Sequence, residues 1–193
     1  MTTPVWVITG LLDSGKTTLI NQLVEQELDE LDILVIQFES GETPLIEPER
    51  VKKLAFSKSQ LEQSPFGIAD IIIHYIDKHS PDLILIEWNG MEHFHKLEEM
   101  LLQFTAKAVL SIEKVVYAAD GASFKARIPD AGAAAFSQIA GSDCAYVRLR
   151  GHRRNRNDMD VLYNCNPGIR GYTSRERFAR ACRDMPSDAA DAY

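Results

Sequence analysis

Nine residues near the amino end constrain this chain more than any others. Gly10-Leu11-Leu12-Asp13-Ser14-Gly15-Lys16-Thr17-Thr18 fits the spacing GxxxxGK[ST]. The segment follows a short β-branched and aromatic run at 5–9 (VWVIT). It precedes Leu19, Ile20, Leu23 and Val24, which recur at helical spacing. A strand that turns through glycine into a helix gathers consecutive N–H groups into one concavity, with the positive end of the helix behind them. Gly10 lets the chain leave the strand, and Gly15 lets backbone approach a phosphate where a Cβ would clash. Lys16 is expected to reach β- and γ-phosphate oxygens. The Thr17 hydroxyl is expected to ligate Mg²⁺, which takes oxygen ligands and keeps several waters. Asp13, Ser14 and Thr18 complete the expected nucleotide-binding set. A plain glycine-rich turn does not account for Lys16, because a cation at a helix N-terminus is unfavourable unless an anion is present.

The rest of the chain alternates apolar bursts with helical patterns. Residues 33–38 (ILVIQF), 83–87 (LILIE) and 115–119 (VVYAA) are continuous apolar runs, and 144–149 and 169–173 are weaker ones. Runs that do not alternate with polar residues suit strands buried on both faces of a parallel sheet. Ile68, Ile71, Ile72, Tyr75 and Ile76 form one helical stripe, and Leu97, Met100, Leu101 and Phe104 another. The pattern predicts an α/β chain, a three-layer P-loop NTPase fold with a mostly parallel central sheet flanked by helices. Residues 1–184 are expected to form one P-loop nucleotide-binding domain and 185–193 a disordered tail. Residues 151–157 read as a polar connector, followed by a short helix over 158–163.

Such sheets bind ligands beyond the carboxyl ends of their strands, where Gly10, Glu39, Glu87 and Asp120 all fall. Glu87 ends LILIE, and a strand-end carboxylate beside a phosphate loop orients Mg²⁺ or its water. Lys16 and Glu87 are therefore the catalytic candidates, and Thr17, Glu39 and Glu87 the metal candidates. Glu39 is preferred to Glu42 because it lies nearer its strand end. Gly90, three residues beyond Glu87, would let a backbone N–H approach a γ-phosphate, a contact that depends on the nucleotide present. Asp120 reads more simply as a helix cap.

Lys+Arg total 21 and Asp+Glu 28, a net charge of -7. A globally acidic chain is a poor binder of nucleic acid or anionic membrane. The charge is uneven: 1–147 holds 22 acidic against 11 basic residues, and 148–193 holds 10 Arg, no Lys and 6 acids. Arg148, Arg150, Arg153, Arg154 and Arg156 read as a solvated loop, with an arginine reaching the nucleotide as the alternative. Cys144, Cys165 and Cys182 form no CxxC pair, which argues against a disulfide framework or zinc site. No secretory signal or bilayer-spanning run is seen, and a cytoplasmic location is expected.

With these pieces in place, the chain resembles the CobW/HypB/UreG-type P-loop GTPases, most closely the CobW branch. The resemblance rests on VITGLLDSGKTTLINQLV at 7–24, ESGE at 39–42, LILIEWNG at 83–90, VVYAAD at 115–120 and QIAGSDCAYVRL at 138–149. It implies a Mg²⁺-dependent GTP-binding domain that hydrolyses GTP slowly and serves metal homeostasis or metallocofactor insertion. The implied ligands are GTP or ATP with Mg²⁺, and the implied partner is a protein or metalloprotein client, with a homodimer open. Three features depart from the branch. No cysteine lies between Glu42 and Gly67, where a CxCC metal motif would fall. The place of the guanine-reading NKxD holds Val147-Arg148-Leu149-Arg150. The branch's C-terminal domain has no counterpart here, so the expectation is the nucleotide-binding domain only. Two other readings stay open: a P-loop kinase of a small acceptor, and a non-hydrolysing nucleotide-binding regulatory module. His93 and His95, two apart on a helix, do not share a face and read as a surface pair.

Overall fold

The apolar runs become strands because only a sheet covered on both sides can hide residues pointing both ways. The computed structural model describes residues 2–38, 41–149 and 156–184. Their order is β1 (Thr3–Thr9), α1 (Lys16–Gln26), β2 (Ile33–Gln37), β3 (Val51–Ala55), α2 (Lys58–Gln63), α3 (Pro65–His79) and β4 (Leu83–Glu87). Then come α4 (Phe94–Ala106), β5 (Leu110–Asp120), α5 (Phe124–Ala140), β6 (Cys144–Arg148), α6 (Arg156–Cys165), β7 (Arg170–Tyr172) and α7 (Arg175–Asp184). The strands lie in the order β3-β2-β4-β1-β5-β6-β7. Each of their pairings is parallel, so the sheet is parallel throughout and not merely mostly so.

Side-chain alternation along β1 builds the three layers. Val5 and Val7 face α3 and α4, where Ile72, Ile76, Leu97 and Leu101 are buried. Trp6 and Ile8 face the other way, onto Leu19, Ile20 and Leu23 of α1 and Phe178 and Cys182 of α7. A third cluster, with Tyr117, Phe124, Ile128 and Leu162, seats α5 and α6 beside β5 and β6. β1 is therefore central in the sheet and covered on both faces.

Several elements escaped the sequence pattern, each for a local reason. β3 buries only Val51 of its five residues, so an edge strand shows no apolar run. α2 is short and starts at a capping box in which Ser57 and Gln60 bond each other reciprocally. α5 consists of two helical runs joined at Gly132, whose φ is 53°, and it contains Pro129. α1 begins at Lys16, since Gly15 is its left-handed N-cap. Within the arginine-rich end, α6, β7 and α7 are regular elements. α7 buries Phe178 and Cys182, and Phe178 lies 5.2 Å from Tyr146 and 5.9 Å from Tyr172 by ring centroids. The proposed polar connector and the tail at 185–193 fall almost wholly outside the described residues.

β5 carries a bulge: Val5 pairs with Ile112 and Trp6 with Lys114, leaving Glu113 extra. The buried Lys114 ammonium lies 4.0 Å from the Trp6 ring centroid and donates to the Cys182 carbonyl of α7. Its burial lowers its pKa from the ordinary lysine value.

Central and edge positions should therefore differ in mutational cost. Leu85→Ala in the fully buried β4 should cost about 2–5 kcal/mol, with Leu54→Ala on β3 costing less. Urea midpoints of the two variants measure the difference.

Candidate functional site

The sheet's geometry delivers the site. The chain leaves β1 at Gly10, whose φ of 137° suits glycine alone, and a Cβ there would stand 2.1 Å from the Ala118 carbonyl oxygen of β5. Asp13 is left-handed at φ 55° and Gly15 at φ 90°. Between them the Ser14 N–H donates to the Leu11 carbonyl at 3.2 Å. The loop wraps the Lys16 side chain, which is 3% exposed. Its Nζ donates to the carbonyls of Gly10 at 3.0 Å and Leu11 at 2.9 Å. The ammonium is thus held across the loop, at the start of α1.

β4 runs beside β1 in parallel register, with Ile8 opposite Glu87. Glu87 is 2% exposed. The Thr17 hydroxyl donates to its Oε1 at 2.7 Å, and Gln37 Nε2 of β2 donates to its Oε2 at 2.6 Å. Gln37 escapes the sequence pattern, because a lone glutamine ending an apolar run carries no signature. The chain after β4 turns back against the loop. A Cβ on Gly90 would lie 2.5 Å from the Gly10 carbonyl oxygen and 2.8 Å from Leu12 N. No other residue type fits there without shifting loop backbone.

An open pocket of about 180 Å³ lies over this arrangement, lined by Asp13, Ser14, Gly15, Lys16, Thr17, Thr18, Gly41, Glu42, Thr43, Glu87 and Arg148. The sequence-predicted residues of the loop and Glu87 therefore converge. Gly90 lies against the loop backbone and is not among those lining residues. Glu39 is outside the described residues, and Glu42, the less favoured carboxylate, lines the pocket. Asp13 is exposed, with Arg127 3.9 Å away. Asp120 does not cap α5, whose N-cap is Ser123 with no side-chain cap hydrogen bond; its Oδ1 accepts from the Ala122 N–H at 3.1 Å in the turn after β5, and its Oδ2 pairs with Arg148 Nη2 at 3.2 Å. Arg148 thus belongs to the pocket wall and not to a solvated loop, which corrects the expectation for that one arginine.

Gln138 of α5, fully buried, is the functional-site neighbour that the sequence concealed. Its Oε1 accepts from the Thr9 hydroxyl at 2.6 Å and the Gly10 N–H at 3.2 Å. Its Nε2 donates to the carbonyls of Asn89 at 3.1 Å and Glu92 at 2.6 Å. One amide therefore ties the start of the phosphate loop to both flanks of Gly90. Nearby, the Glu92 carboxylate meets Lys96 at 2.5 Å and Lys58 at 3.2 Å. Burial alone would raise its pKa, but the hydrogen bonds and charges of Lys96 and Lys58 outweigh that and hold it below the usual carboxylate range.

The donor set suits a hard divalent cation: a threonine hydroxyl and a carboxylate, with pocket space for phosphate oxygens and water. Among the described residues, no group of three or more His, Cys, Asp or Glu side chains is placed to hold a metal ion by itself. The His93 and His95 rings lie 5.4 Å apart by centroids. Among the described residues no helix is long and apolar enough to cross a membrane.

Two outcomes follow from this geometry. Gln138→Leu should cost about 2–4 kcal/mol in urea denaturation, because buried partners lose their hydrogen bonds. The Glu92 ion pairs should make the stability gap between wild type and Glu92→Gln pH-dependent. A lowered folded-state pKa stabilises above the ordinary carboxylate range and is lost as pH falls through the folded-state value. The gap should therefore shrink between about pH 7 and about pH 3 in paired urea titrations.

Comparison with known proteins places this geometry in a lineage. The model of the CobW/HypB/UreG nucleotide-binding domain matches residues 4–148. The solved Zn(II)-bound YjiA GTPase of E. coli superposes with a TM-score of 0.64 at 19% identity, covering 91% of this chain and 58% of that one. Hydrogenase maturation factor HypB of Archaeoglobus fulgidus gives 0.58 at 16% identity, covering 94% of this chain and 89% of that one. A LAO/AO transport system kinase gives 0.57 at 11% identity, covering 95% and 59%. These likenesses show a shared α/β P-loop NTPase fold, and this chain spans only 58% of the YjiA chain's length. Curated protein sequences gave no significant match. With the family model matched across most of its length, the chain belongs to the CobW/HypB/UreG family of P-loop GTPases.

Proposed function

We propose that the chain is a Mg²⁺-dependent GTP-binding protein that hydrolyses its nucleotide slowly and serves metal homeostasis or metallocofactor insertion through a protein client. In this reading residues 1–184 act as one nucleotide-binding domain. The observation that carries it is the buried contact of the Thr17 hydroxyl with Glu87, 2.7 Å long, directly after the Lys16-bearing loop.

The residues fit a polyphosphate and its cation. Gly10 and Gly15 keep Cβ atoms out of the loop, and Ser14 Oγ, buried in the pocket wall, has no hydrogen-bond partner among the described residues. Thr17 and Glu87 would hold Mg²⁺, with Glu39 as a further candidate ligand. When bound, the cation would supply charge neutralisation on the phosphate oxygens. The Thr17 proton points to Glu87, which leaves hydroxyl lone pairs for a cation. Gln37 fixes the other carboxylate oxygen, so Glu87 keeps one orientation and can accept a proton from a water ordered beside it. Lys16 exchanges its carbonyl contacts for β- and γ-phosphate oxygens. Asp13, Ser14, Gly15 and Thr18 border the same anion site. Gly90 packs on the loop backbone, and in this reading its N–H would sense a γ-phosphate, with Gln138 linking that turn to Thr9 and Gly10.

Isothermal titration with GTP and GDP, with and without Mg²⁺, tests the reading together with single-turnover phosphate release. Wild type should bind both nucleotides, with GTP affinity falling when Mg²⁺ is chelated. Lys16→Ala should weaken GTP at least ~100-fold, since it removes a charge-assisted contact inside a buried loop. Glu87→Gln should lose phosphate release and make GTP affinity less dependent on Mg²⁺ than in wild type. Wild type that ignores GTP and GDP at millimolar concentration would sink the proposal.

A further inference from the structure

The arginine at the end of β6 occupies a position that the loop chemistry does not require. Val147-Arg148-Leu149-Arg150 has no carboxylate to read a purine edge. Arg148 instead turns its side chain back over the phosphate loop. Its Cζ and Nη1 each stand 3.0 Å from where a Cβ on Gly15 would be. Its Nη2 donates to Asp120 at 3.2 Å, and its Nε is buried with no hydrogen-bond partner among the described residues. Ser14 Oγ, in the same pocket wall and 5% exposed as a residue, is likewise without a partner.

Two buried donors that lack acceptors are costly, and both border a pocket already framed by a lysine and a helix N-terminus. An acceptor-rich anion relieves both at once. A guanidinium presents five donors in a fixed fork that matches phosphate oxygens. Asp120 can hold that fork in the absence of ligand, at the rim of the site, without filling it.

We infer that Arg148 is a phosphate-contacting residue of this chain, held by Asp120 until a polyphosphate arrives and then shared with, or passed to, its oxygens. The inference rests on the phosphate-loop reading above and deepens it. It assigns recognition at this strand end to the charge of the polyphosphate and not to the purine edge. Arg148 and Asp120 then form a cis-acting clamp in which one carboxylate competes with the ligand.

Titration calorimetry on the full chain with GTP, ATP and inorganic tripolyphosphate, all with Mg²⁺, tests the clamp. Arg148→Ala should weaken all three by a common factor of about 10 or more, the scale of a lost charged hydrogen bond. Arg148→Lys, which keeps the charge but not the fork, should fall between. Asp120→Asn should bind as tightly as wild type or more tightly, because it removes the competitor. Arg148→Ala within twofold of wild type for all three would overturn the inference. A loss confined to GTP would overturn it too, by making Arg148 a base contact. If Arg148→Ala fails to fold, Arg148→Lys and Asp120→Asn decide: unchanged affinity in the first, or weakened affinity in the second, refutes the clamp. Wild type that binds none of the three ligands overturns the phosphate-loop reading itself, and the clamp with it. Wild type that binds while the Arg148 variants are unaffected overturns the clamp alone.

Discussion

The ammonium of Lys16, bonded to the carbonyls of Gly10 and Leu11, is the contact around which the site is arranged. Those carbonyls point inward only because Gly10 and Gly15 adopt backbone conformations closed to other residues. That turn is placed by β1, which is central in the sheet and covered on both faces. β4 on one side brings Glu87 level with Ile8, and β5 on the other brings Ala118 close under Gly10. A displacement of β1 would therefore move the loop, the carboxylate and the cation together.

Around this centre, side-chain amides fix what the backbone leaves free. Gln37 and Gln138 are both buried and both sit one contact from the loop, the first through Glu87 and the second through Thr9 and Gly10. An amide suits such a place because it donates and accepts without changing charge as a nucleotide binds. Gln138 also holds the carbonyls on either side of Gly90, so loop and turn move as one body. Glu92, at the far end of that turn, passes the link to Lys58 and Lys96 on the surface of α2 and α4.

Residue chemistry made the centre of the molecule readable and left its periphery obscure. The phosphate loop, β2, β4 and Glu87 announce themselves because buried parallel strands and a glycine-lysine spacing leave strong patterns. β3 left none, since an edge strand needs only Val51 inside. Arg148 looks in sequence like any member of a solvated arginine run. The register of β6 against β5, which places Arg148 opposite Asp120, brings it to the pocket. Gln138 was hidden in a helix whose apolar stripe gives no hint that one polar side chain reaches across to another strand's end. Glu39 and Glu42 compete for the same loop, and strand proximity alone favoured the first although the second lines the pocket.

The edge formed by β3 has a consequence for handling the protein. A parallel sheet invites further strands at its margins, and a margin that is long, flat and greasy templates fibres. Here the outermost strand is five residues long and exposes Lys52 and Lys53. Each approaching copy would bring its own pair of like charges to the seam, so edge-on stacking is self-limiting, and concentrated solutions should tolerate low salt better than high salt.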